Sequence, residues 1–371
     1  MMNELRLSQD SLRALSDNTG GFAVLNQNDF GSSFDRIVQD NSSYYVMAYY
    51  PPVADTKPGK FHKIEVTVAR PGVTIRARQG YATPSAKPAA AANVAKGTSP
   101  EIRTALESPL PLTGLTLRVF AAPFKGTSAN ASVFVLTEMS GRDLKLSPKN
   151  TVEVSYQAVD EAGKIRGGDT QLVTLPENVR PEIRARMEQV GLRVTDRMDL
   201  PPGRYQMHVA AHDTGGGSLG SVTYDLDVPD FYKGPLTISG LALTSVAGPL
   251  VPTMHPDALL KDAMQASPVA LRRFPSGDEL SVFAEVYDNA ASSPHKVDIT
   301  TTITADDSKV VFKADEERSS TDIQGKRGGY GYSAKIPLTG IAPGTYVLKV
   351  EARSRLGEGA SARREVQFTI Q

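Results

Sequence analysis

The chain carries an internal repeat, and this repeat limits its possible folds more than any other feature of the sequence. Residues 202–209 (PGRYQMHV) match residues 343–350 (PGTYVLKV), and residues 152–160 (VEVSYQAVD) match residues 280–288 (LSVFAEVYD). Each copy has an alternating strand pattern and, further along, a Pro-Gly turn with a tyrosine at the start of the next strand. Such a tyrosine is typical of the tyrosine corner of an immunoglobulin-like sandwich, where its hydroxyl bonds back to the backbone. The repeat therefore predicts two immunoglobulin-like β-sandwiches in tandem.

The patterns along the chain divide it into four segments. Residues 1–84 alternate helix and strand patterns with short connections, which predicts part of a parallel α/β sheet. Residues 85–99 (SAKPAAAANVAKGTS) are small, include proline and predict a linker. Residues 100–230 and residues 231–371 each hold several short alternating strands, which predicts β-sandwich 1 and β-sandwich 2. The expected fold class is multidomain, with a partial α/β domain followed by two all-β sandwiches.

Three local patterns within the sandwiches give more detailed expectations. Residues 181–190 have an amphipathic helix pattern that Gly191 ends. Residues 236–244 predict a strand. Residues 246–275 are rich in Pro, Met and Ala, and we expect irregular structure there.

The first segment is predicted to have a sheet edge without a partner strand. Residues 61–69 and 73–78 predict a hairpin around a tight turn at residues 70–72 (RPG). The strand at residues 22–25 lacks an earlier partner strand, so we expect its edge to be open, covered by a neighbouring domain or paired with another chain. The tyrosine-rich strand at residues 44–50 predicts either a partner surface or a sheet buried between helix layers. The candidate partner-contact residues on these two strands are Phe22, Val24, Tyr45 and Tyr49.

Composition excludes several classes of function. The 41 basic residues balance the 41 acidic residues, so no global field favours nucleic acid or an anionic membrane. The chain has no cysteine, which excludes disulfides, cysteine-ligated zinc and thiol catalysis. No apolar run approaches the roughly 20 residues that span a bilayer, and residues 1–10 (MMNELRLSQD) lack the apolar core of a signal peptide. We therefore expect no nucleic-acid partner and no membrane span.

Two histidines and a glycine run imitate functional motifs. His208 and His212 are four residues apart, as in zinc-binding helices, but in a strand this spacing spans about 13 Å, too far for one metal ion. Residues 215–218 (GGGS) lack the Lys-Ser/Thr that follows a phosphate-binding loop, and they join two predicted strands. We therefore predict that these histidines hold no metal ion and that the glycine run is a hairpin turn.

Paired carboxylates occur in two predicted turns, at Asp160-Glu161 and Asp306-Asp307. Flexible loops of this kind can hold calcium, but the alternating Asp/Asn spacing of a calcium loop is missing, so we expect solvated turns. The sequence also lacks a Gly-x-Ser-x-Gly elbow with a Ser-His-Asp order. No catalytic residue, no cofactor and no metal ligand is therefore predicted.

Short motifs in the first segment keep a characteristic order and spacing. They are residues 12–15 (LRAL), 19–21 (TGG), 34–37 (FDRI), 44–49 (YYVMAY) and 76–81 (RARQGY). With these motifs the segment resembles the C-terminal half of a von Willebrand factor A-type domain, and more narrowly the VWFA-related domain of large secreted proteins of Acidobacteria and similar soil bacteria. Residues 228–231 (VPDF) and 272–274 (RRF) make the sandwiches resemble the region that follows this domain. The resemblance implies half of a doubly wound sheet followed by two sandwiches.

The chain departs from that family at the metal site. The family binds its metal through an Asp-x-Ser-x-Ser loop, and this sequence contains no such motif. Residues 40–43 (DNSS) come nearest, but their spacing is wrong and they lead into a strand. Metal-dependent adhesion is therefore not implied for this chain. The resemblance does imply an exported parent protein whose signal lies upstream of Met1, with Met1 as an internal start or a boundary.

Three functions are compatible with these observations. The first is a non-enzymatic, extracytoplasmic scaffold for protein interaction or adhesion, which contacts a protein partner through sheet edges and sandwich loops. The second is a carbohydrate-binding accessory module or a glycosidase-associated sandwich protein, an analogy of fold that the absence of Trp weakens. The third is a gene fragment without an independent role. The repeat and the lack of a catalytic constellation favour the first.

Overall fold

The structure is a computed structural model. It describes Ser16 and residues 61–69, 80–82, 98–108, 110–246, 251–289, 295–305, 309–319, 330–356 and 359–371. The chain divides into two compact units, Met1–Ala92 and Asn93–Gln371. The candidate contact residues of the first segment lie outside the described residues; they are Phe22, Val24, Tyr45 and Tyr49. The α/β part of the expected fold therefore stays a prediction.

The first unit contains one described strand pair. Strand β1 (Phe61–Lys63) pairs antiparallel with β2 (Gly80–Ala82), and His62 lies opposite Tyr81. This pairing agrees with the chain reversal that the predicted hairpin requires. The first strand is shorter than expected, because residues 64–68 form no regular strand.

In its described part, the second unit consists mainly of β-strands, as the sequence predicted. Its first half contains α1 (Pro100–Glu107), β3 (Leu117–Lys125), β4 (Ala131–Met139), a 3₁₀ turn (Gly141–Asp143), β5 (Thr151–Asp160), β6 (Ile165–Thr174), α2 (Pro181–Val190), β7 (Leu192–Leu200), β8 (Gly203–Asp213) and β9 (Leu219–Val228). Its second half contains β10 (Leu236–Ile238), β11 (Ala242–Ser245), β12 (Thr253–Met254), α3 (Ala258–Ala263), β13 (Arg273–Phe274), β14 (Glu279–Asp288), β15 (Lys296–Ala305), β16 (Val310–Ser319), β17 (Tyr330–Pro337), β18 (Gly344–Ser354) and β19 (Ser361–Ile370). Among the described helices, none is both long and apolar enough to cross a membrane.

The strands of the second unit form two β-sandwiches. Sheet I, with the order β6-β5-β8-β9, faces sheet II, with the order β12-β7-β4-β3. The core of this sandwich 1 includes Val133, Val135, Tyr156, Met207 and Val209. Sheet III, with the order β10-β14-β11 and β17 also paired to β14, faces sheet IV, with the order β13-β19-β18-β15-β16. The core of this sandwich 2 includes Val282, Val286, Ile299, Leu348 and Phe368.

Both predicted tyrosine corners are present, one in each sandwich. The hydroxyl of Tyr205 donates to the carbonyl oxygen of Pro201 at 2.8 Å, and the hydroxyl of Tyr346 donates to that of Ala342 at 2.6 Å. Both rings are buried in the cores, so the hydroxyls reach the backbone from inside. The predicted amphipathic helix is α2, which ends at Gly191 with a φ of 91°.

The outer faces of sheets II and III pack against each other and join the two sandwiches. All nine residues of β4 are buried, because one face lines the core of sandwich 1 and the other lies in this contact. The ring of Phe124 on β3 stacks on the ring of Phe283 on β14, with centroids 6.3 Å apart. Further members of the contact are Phe120, Ala122, Phe134, Leu136, Ala242, Leu260 and Met264. Burial of each large apolar side chain contributes about 1.5–3 kcal/mol.

The segment between β11 and β14 crosses back to sandwich 1, which the sequence did not predict. Its β12 pairs parallel with β7, so that Thr253 lies opposite Arg193, and α3 packs between sheets II and III. The single strand predicted for residues 236–244 is interrupted between β10 and β11. Gly240 explains the break. Its N–H donates to the carbonyl oxygen of Pro123 at 2.8 Å, and a side chain at position 240 would collide with Ala122.

Candidate functional site

The outer face of sheet I is partly covered and partly open. Along β8, side chains alternate between the core and this face. Helix α1 covers one half of the face, where Ile102 and Leu106 pack against Ala210. Beyond the C-terminal end of α1, the outward-facing side chains of β8 and β9 are exposed.

Side chains of sheet I fix α1 at both of its ends. The hydroxyl of Ser99 caps the helix by accepting a bond from the N–H of Ile102 at 3.3 Å, and the buried Glu153 accepts one from the N–H of Ser99 at 2.9 Å. At the other end, Nδ1 of His208 lies 2.9 Å from the carbonyl oxygen of Leu106. A carboxylate at the N-terminus and a donor at the C-terminus both stabilise a helix. Glu153 and His208 therefore have structural roles.

Beyond α1, residues of β5, β8 and β9 line an open groove of about 560 Å³. Its polar lining residues are Asp160, Glu161, Arg204, Gln206, Asp225 and Asp227, and Val159 is an apolar part of its lining. A second hollow of about 520 Å³ adjoins it at the Pro-Pro-Gly turn before β8. Volumes in this range are those of sites for small ligands. This groove is the candidate functional site.

Strand register places the polar groups of the groove side by side. Arg204 of β8 lies opposite Asp227 of β9, and Gln206 lies opposite Asp225. Directly opposite residues have Cβ atoms about 4.5–5.5 Å apart. All four side chains are exposed. Each cross-strand pair therefore presents a hydrogen-bond donor beside a carboxylate.

The turn between β5 and β6 forms one wall of the groove. Oδ1 of Asp160 accepts bonds from the N–H groups of Ala162 at 3.0 Å and Lys164 at 2.9 Å, and Nε of Arg166 donates to Oδ2 at 2.6 Å. The bonds from Lys164 and Arg166 keep the pKa of Asp160 below its ordinary value. Gly163 has a φ of 76°, which suits glycine. The Asp160 carboxylate therefore holds the turn.

Four charged side chains of the groove lack partners of this kind among the described residues; they are Glu161, Arg204, Asp225 and Asp227. Within the described part of the chain, neither Arg204 nor Asp225 forms a side-chain hydrogen bond or an ion pair. Asp227 forms none there either, although its charge acts on Arg364 of β19. Burial lowers the pKa of Arg364, and Asp227 raises it in part. A guanidinium and three carboxylates thus remain available to a ligand.

The two histidines and the glycine run lie on β8 and directly after it. His208 and His212 share the outer face of sheet I, and the described residues contain no group of three or more His, Asp or Glu that could hold a metal ion. The glycine run joins β8 to β9 as a hairpin, as predicted. The buried Asp213 holds this hairpin by accepting bonds from the N–H groups of Gly215 and Gly216, each at 3.2 Å.

Among the groove residues, the sequence singled out Asp160 and Glu161 as possible ligands and Tyr205 as a tyrosine corner. The outward positions of Arg204 and Gln206 follow from the alternation of β8, but only the pairing of β8 with β9 brings the two aspartates beside them. The other predicted carboxylate pair, Asp306-Asp307, lies outside the described residues, as do the four candidate contact residues of the first segment.

No family model matches the chain, and no curated protein matches its sequence. Among solved structures, the C-terminal domain of wzt has a TM-score of 0.26 and 12% identity, over 38% of this chain and 75% of that domain. The β-glucuronidase 2 of Bacteroides uniformis has a TM-score of 0.27 and 10% identity, over 65% of this chain and 26% of that enzyme. A putative β-galactosidase of Bacteroides fragilis has a TM-score of 0.24 and 10% identity, over 65% of this chain and 33% of that protein.

These similarities are to parts of larger proteins and are weak. The chain spans 26% of the length of the β-glucuronidase and 33% of that of the putative β-galactosidase. The resemblance of residues 1–84 to a von Willebrand factor A-type domain stays a prediction, because most of these residues lie outside the described part.

Proposed function

We propose that this chain is a non-catalytic, extracytoplasmic binding scaffold, in which two sandwiches hold recognition surfaces at a fixed geometry. The observation that carries this proposal is the packing of sheets II and III, whose outer faces form one continuous apolar contact. In tandem domains that are joined only by a flexible linker, the outer sheet faces are polar and exposed to solvent. Location outside the cytoplasm rests on the family resemblance alone.

Two arginines of β7 form largely buried ion pairs beside the contact. Nη2 of Arg193 donates to Glu138 at 2.7 Å, and these side chains are only 3% and 10% exposed. Arg197 forms a bidentate pair with Asp257, whose Oδ1 also accepts a bond from the N–H of Leu260 and so caps α3. Arg193 and Glu138 lie opposite each other on β7 and β4, so their pair holds sheet II itself. The Arg197–Asp257 pair ties α3 to sheet II, and breaking it would leave a largely buried charge without its partner.

Three buried carboxylates have structural roles, which supports a non-catalytic chain. Glu138 bonds to Arg193, Glu153 accepts a bond from the N-cap of α1, and Asp213 holds a hairpin. Catalytic carboxylates normally combine a perturbed environment with a position in a cleft. These three have structural donors instead.

The sheet edges indicate where a protein partner would bind. Edge strand β16 has Glu316 and Arg318 paired with each other on its inward side, and inward charges protect an edge from pairing. Edge strand β6 has no lysine, and its Leu172 is 63% exposed. We therefore place the protein-contact surface on sandwich 1, at β6 and the loops beside it.

Fixed geometry can be tested with spin labels, because the chain has no native cysteine. In the full chain, Glu177→Cys labels a loop of sandwich 1 and Arg363→Cys labels sheet IV. Double electron–electron resonance should give one narrow distribution of distances between the two labels. A broad distribution would contradict a rigid scaffold. The same protein should turn over no chromogenic glycoside and no peptide substrate, and measurable turnover would overturn the non-catalytic assignment.

A second candidate is a carbohydrate-binding accessory module, and the groove on sheet I is the observation that favours it. It shares the non-catalytic scaffold and differs only in the class of partner.

A further inference from the structure

We infer that the groove on sheet I is a binding site for a neutral oligosaccharide, held by the cross-strand pairs Arg204–Asp227 and Gln206–Asp225. This inference rests on the proposed function, because it treats the chain as a binding module without catalytic activity. It adds a ligand class and a location on sandwich 1.

The hydrogen-bonding groups of the groove are complementary to the hydroxyl groups of a sugar. A sugar hydroxyl both donates and accepts, so neighbouring hydroxyls are best matched by a donor and an acceptor that lie side by side. Arg204 is a donor opposite the acceptor Asp227, and the amide of Gln206 lies opposite the acceptor Asp225. Oε1 of Gln206 lies 3.2 Å from Nε2 of His208, so the imidazole lies beside the Gln206 amide.

The contrast with sheet IV is the second argument. There, some exposed charges pair with one another: Arg355 donates to Asp298 at 2.6 Å, and Lys296 pairs with Glu317 at 2.5 Å. Others do not, since Arg353 lies opposite Asp298 without forming an ion pair with it. At the groove, Arg204 and Asp227 lie directly opposite each other and still form no ion pair.

Size and shape are the third argument. A groove of about 560 Å³ has the volume of a small-ligand site, whereas a protein partner needs a broader surface. Val159 gives an apolar contact within a polar rim, which suits the C–H face of a sugar ring. The next outward-facing residue of β8 after Gln206 is His208, whose Nδ1 lies 2.9 Å from the carbonyl oxygen of Leu106 in α1.

The excess of acidic groups in the groove makes a cationic ligand a competing occupant. Glu161, Asp225 and Asp227 outnumber Arg204 once Asp160 is paired with Arg166. Arg204, however, lies between the acidic groups of β9 and the turn and repels a cation. A neutral ligand can bond to both signs, so it uses more of the available groups.

The test measures binding of the full chain to immobilised short oligosaccharides. The neutral probes are gluco-, manno-, xylo- and galacto-oligosaccharides; chitosan and oligogalacturonate fragments are the cationic and anionic probes, and a lysine-rich peptide is a fourth arm. We expect at least one neutral probe to bind and the charged probes to bind more weakly. Preference for chitosan or the basic peptide, or no bound sugar, would overturn the inference.

Variants locate the binding. Asp225→Asn and Asp227→Asn should each weaken binding of the neutral probe about tenfold or more, because each removes a charge-assisted acceptor. Glu177→Gln, an exposed carboxylate that does not line the groove, should leave the affinity unchanged. Thermal unfolding should be the same for all three variants. If the aspartate variants bind the sugar as tightly as wild type, the sugar binds elsewhere and the inference is wrong. The proposed scaffold function is tested separately, by the spin-label distances and by the absence of turnover.

Discussion

The hydroxyl of Tyr287 on β14 accepts a hydrogen bond of 2.9 Å from the backbone N–H of Lys125 at the end of β3, across the contact between the two sandwiches. Tyr287 belongs to sandwich 2 by sequence, but its ring is fully buried in the core of sandwich 1. There it packs edge-on against Phe231, with ring centroids 5.3 Å apart. The hydroxyl also donates to Glu285, and burial followed by this carboxylate raises the pKa of Tyr287. The Tyr287 side chain therefore connects the two sandwiches.

Tyr287→Phe should destabilise the protein by about 1–3 kcal/mol, because it keeps the ring and leaves the N–H of Lys125 without its acceptor. The measurement is the free energy of unfolding from urea titration. Tyr232→Phe is the matched control, since its hydroxyl also bonds to backbone, at Gly126, but the residue is 42% exposed. Equal losses in the two variants would show that the bond to Lys125 has no special weight.

The two tyrosine corners should contribute independently. Tyr205→Phe and Tyr346→Phe each remove one buried hydroxyl-to-carbonyl bond and should each cost about 0.5–1.5 kcal/mol. The corners lie in different sandwiches and share no contact partner, so the double variant should lose the sum to within about 0.5 kcal/mol. Urea titrations of the four proteins complete the cycle. A strong coupling would mean that one corner depends on the other.

The Arg193–Glu138 pair should be more costly to break than to replace. Arg193→Met leaves the buried Glu138 carboxylate with only the distant N–H of Ala270 at 3.3 Å, and should destabilise by about 3–5 kcal/mol. The double variant Arg193→Met, Glu138→Gln removes both charges and should recover part of this loss. Chemical denaturation of both variants decides the point. A double variant that is less stable than Arg193→Met would show that the charge of Glu138 has a use beyond its partner.

Stability should fall in acid partly through Asp257. Burial raises the pKa of this carboxyl, but the hydrogen bond and charge of Arg197 and the N–H of Leu260 lower it more, so the folded pKa lies below the ordinary value of 3.8. A lowered pKa stabilises the folded state above pH 3.8, and that contribution is lost as the pH falls through the folded pKa. Asp257→Asn keeps the cap of α3 and removes the charge.

The measurement for Asp257 is the melting temperature as a function of pH. Wild type should lose more stability than Asp257→Asn as the pH falls from neutrality to below 3.8. Glu177→Gln, at an exposed surface pair with Lys149, serves as the control and should follow the wild-type curve. Parallel curves for wild type and Asp257→Asn would show that the pair with Arg197 does not depend on charge.

Local sequence patterns predicted the features that depend on neighbouring residues. The helix over residues 181–190, the tyrosine corners at Tyr205 and Tyr346, and the glycine hairpin after β8 are all present. Each depends on backbone geometry or on a partner within a few residues, so short-range information is enough. The expected α/β segment stays a prediction, with its contact residues Phe22, Val24, Tyr45 and Tyr49.

Long-range pairings produced what the patterns did not predict. Residues 246–275 are irregular by composition, but they supply β12 to sheet II and α3 to the contact between sandwiches. The strand predicted for residues 236–244 breaks at Gly240, because the backbone of sandwich 1 approaches it. Neither outcome can be derived from residues close in sequence.

The sequence by itself determined that the chain after residue 100 forms strands with a repeated turn, because side-chain alternation and turn chemistry act over a few residues. Only the tertiary structure decided that the two sandwiches form one body, and that Arg204 and Gln206 lie beside Asp227 and Asp225. The physical reason is that strand register and face-to-face packing depend on which apolar surfaces meet, and residues far apart in the chain settle that together.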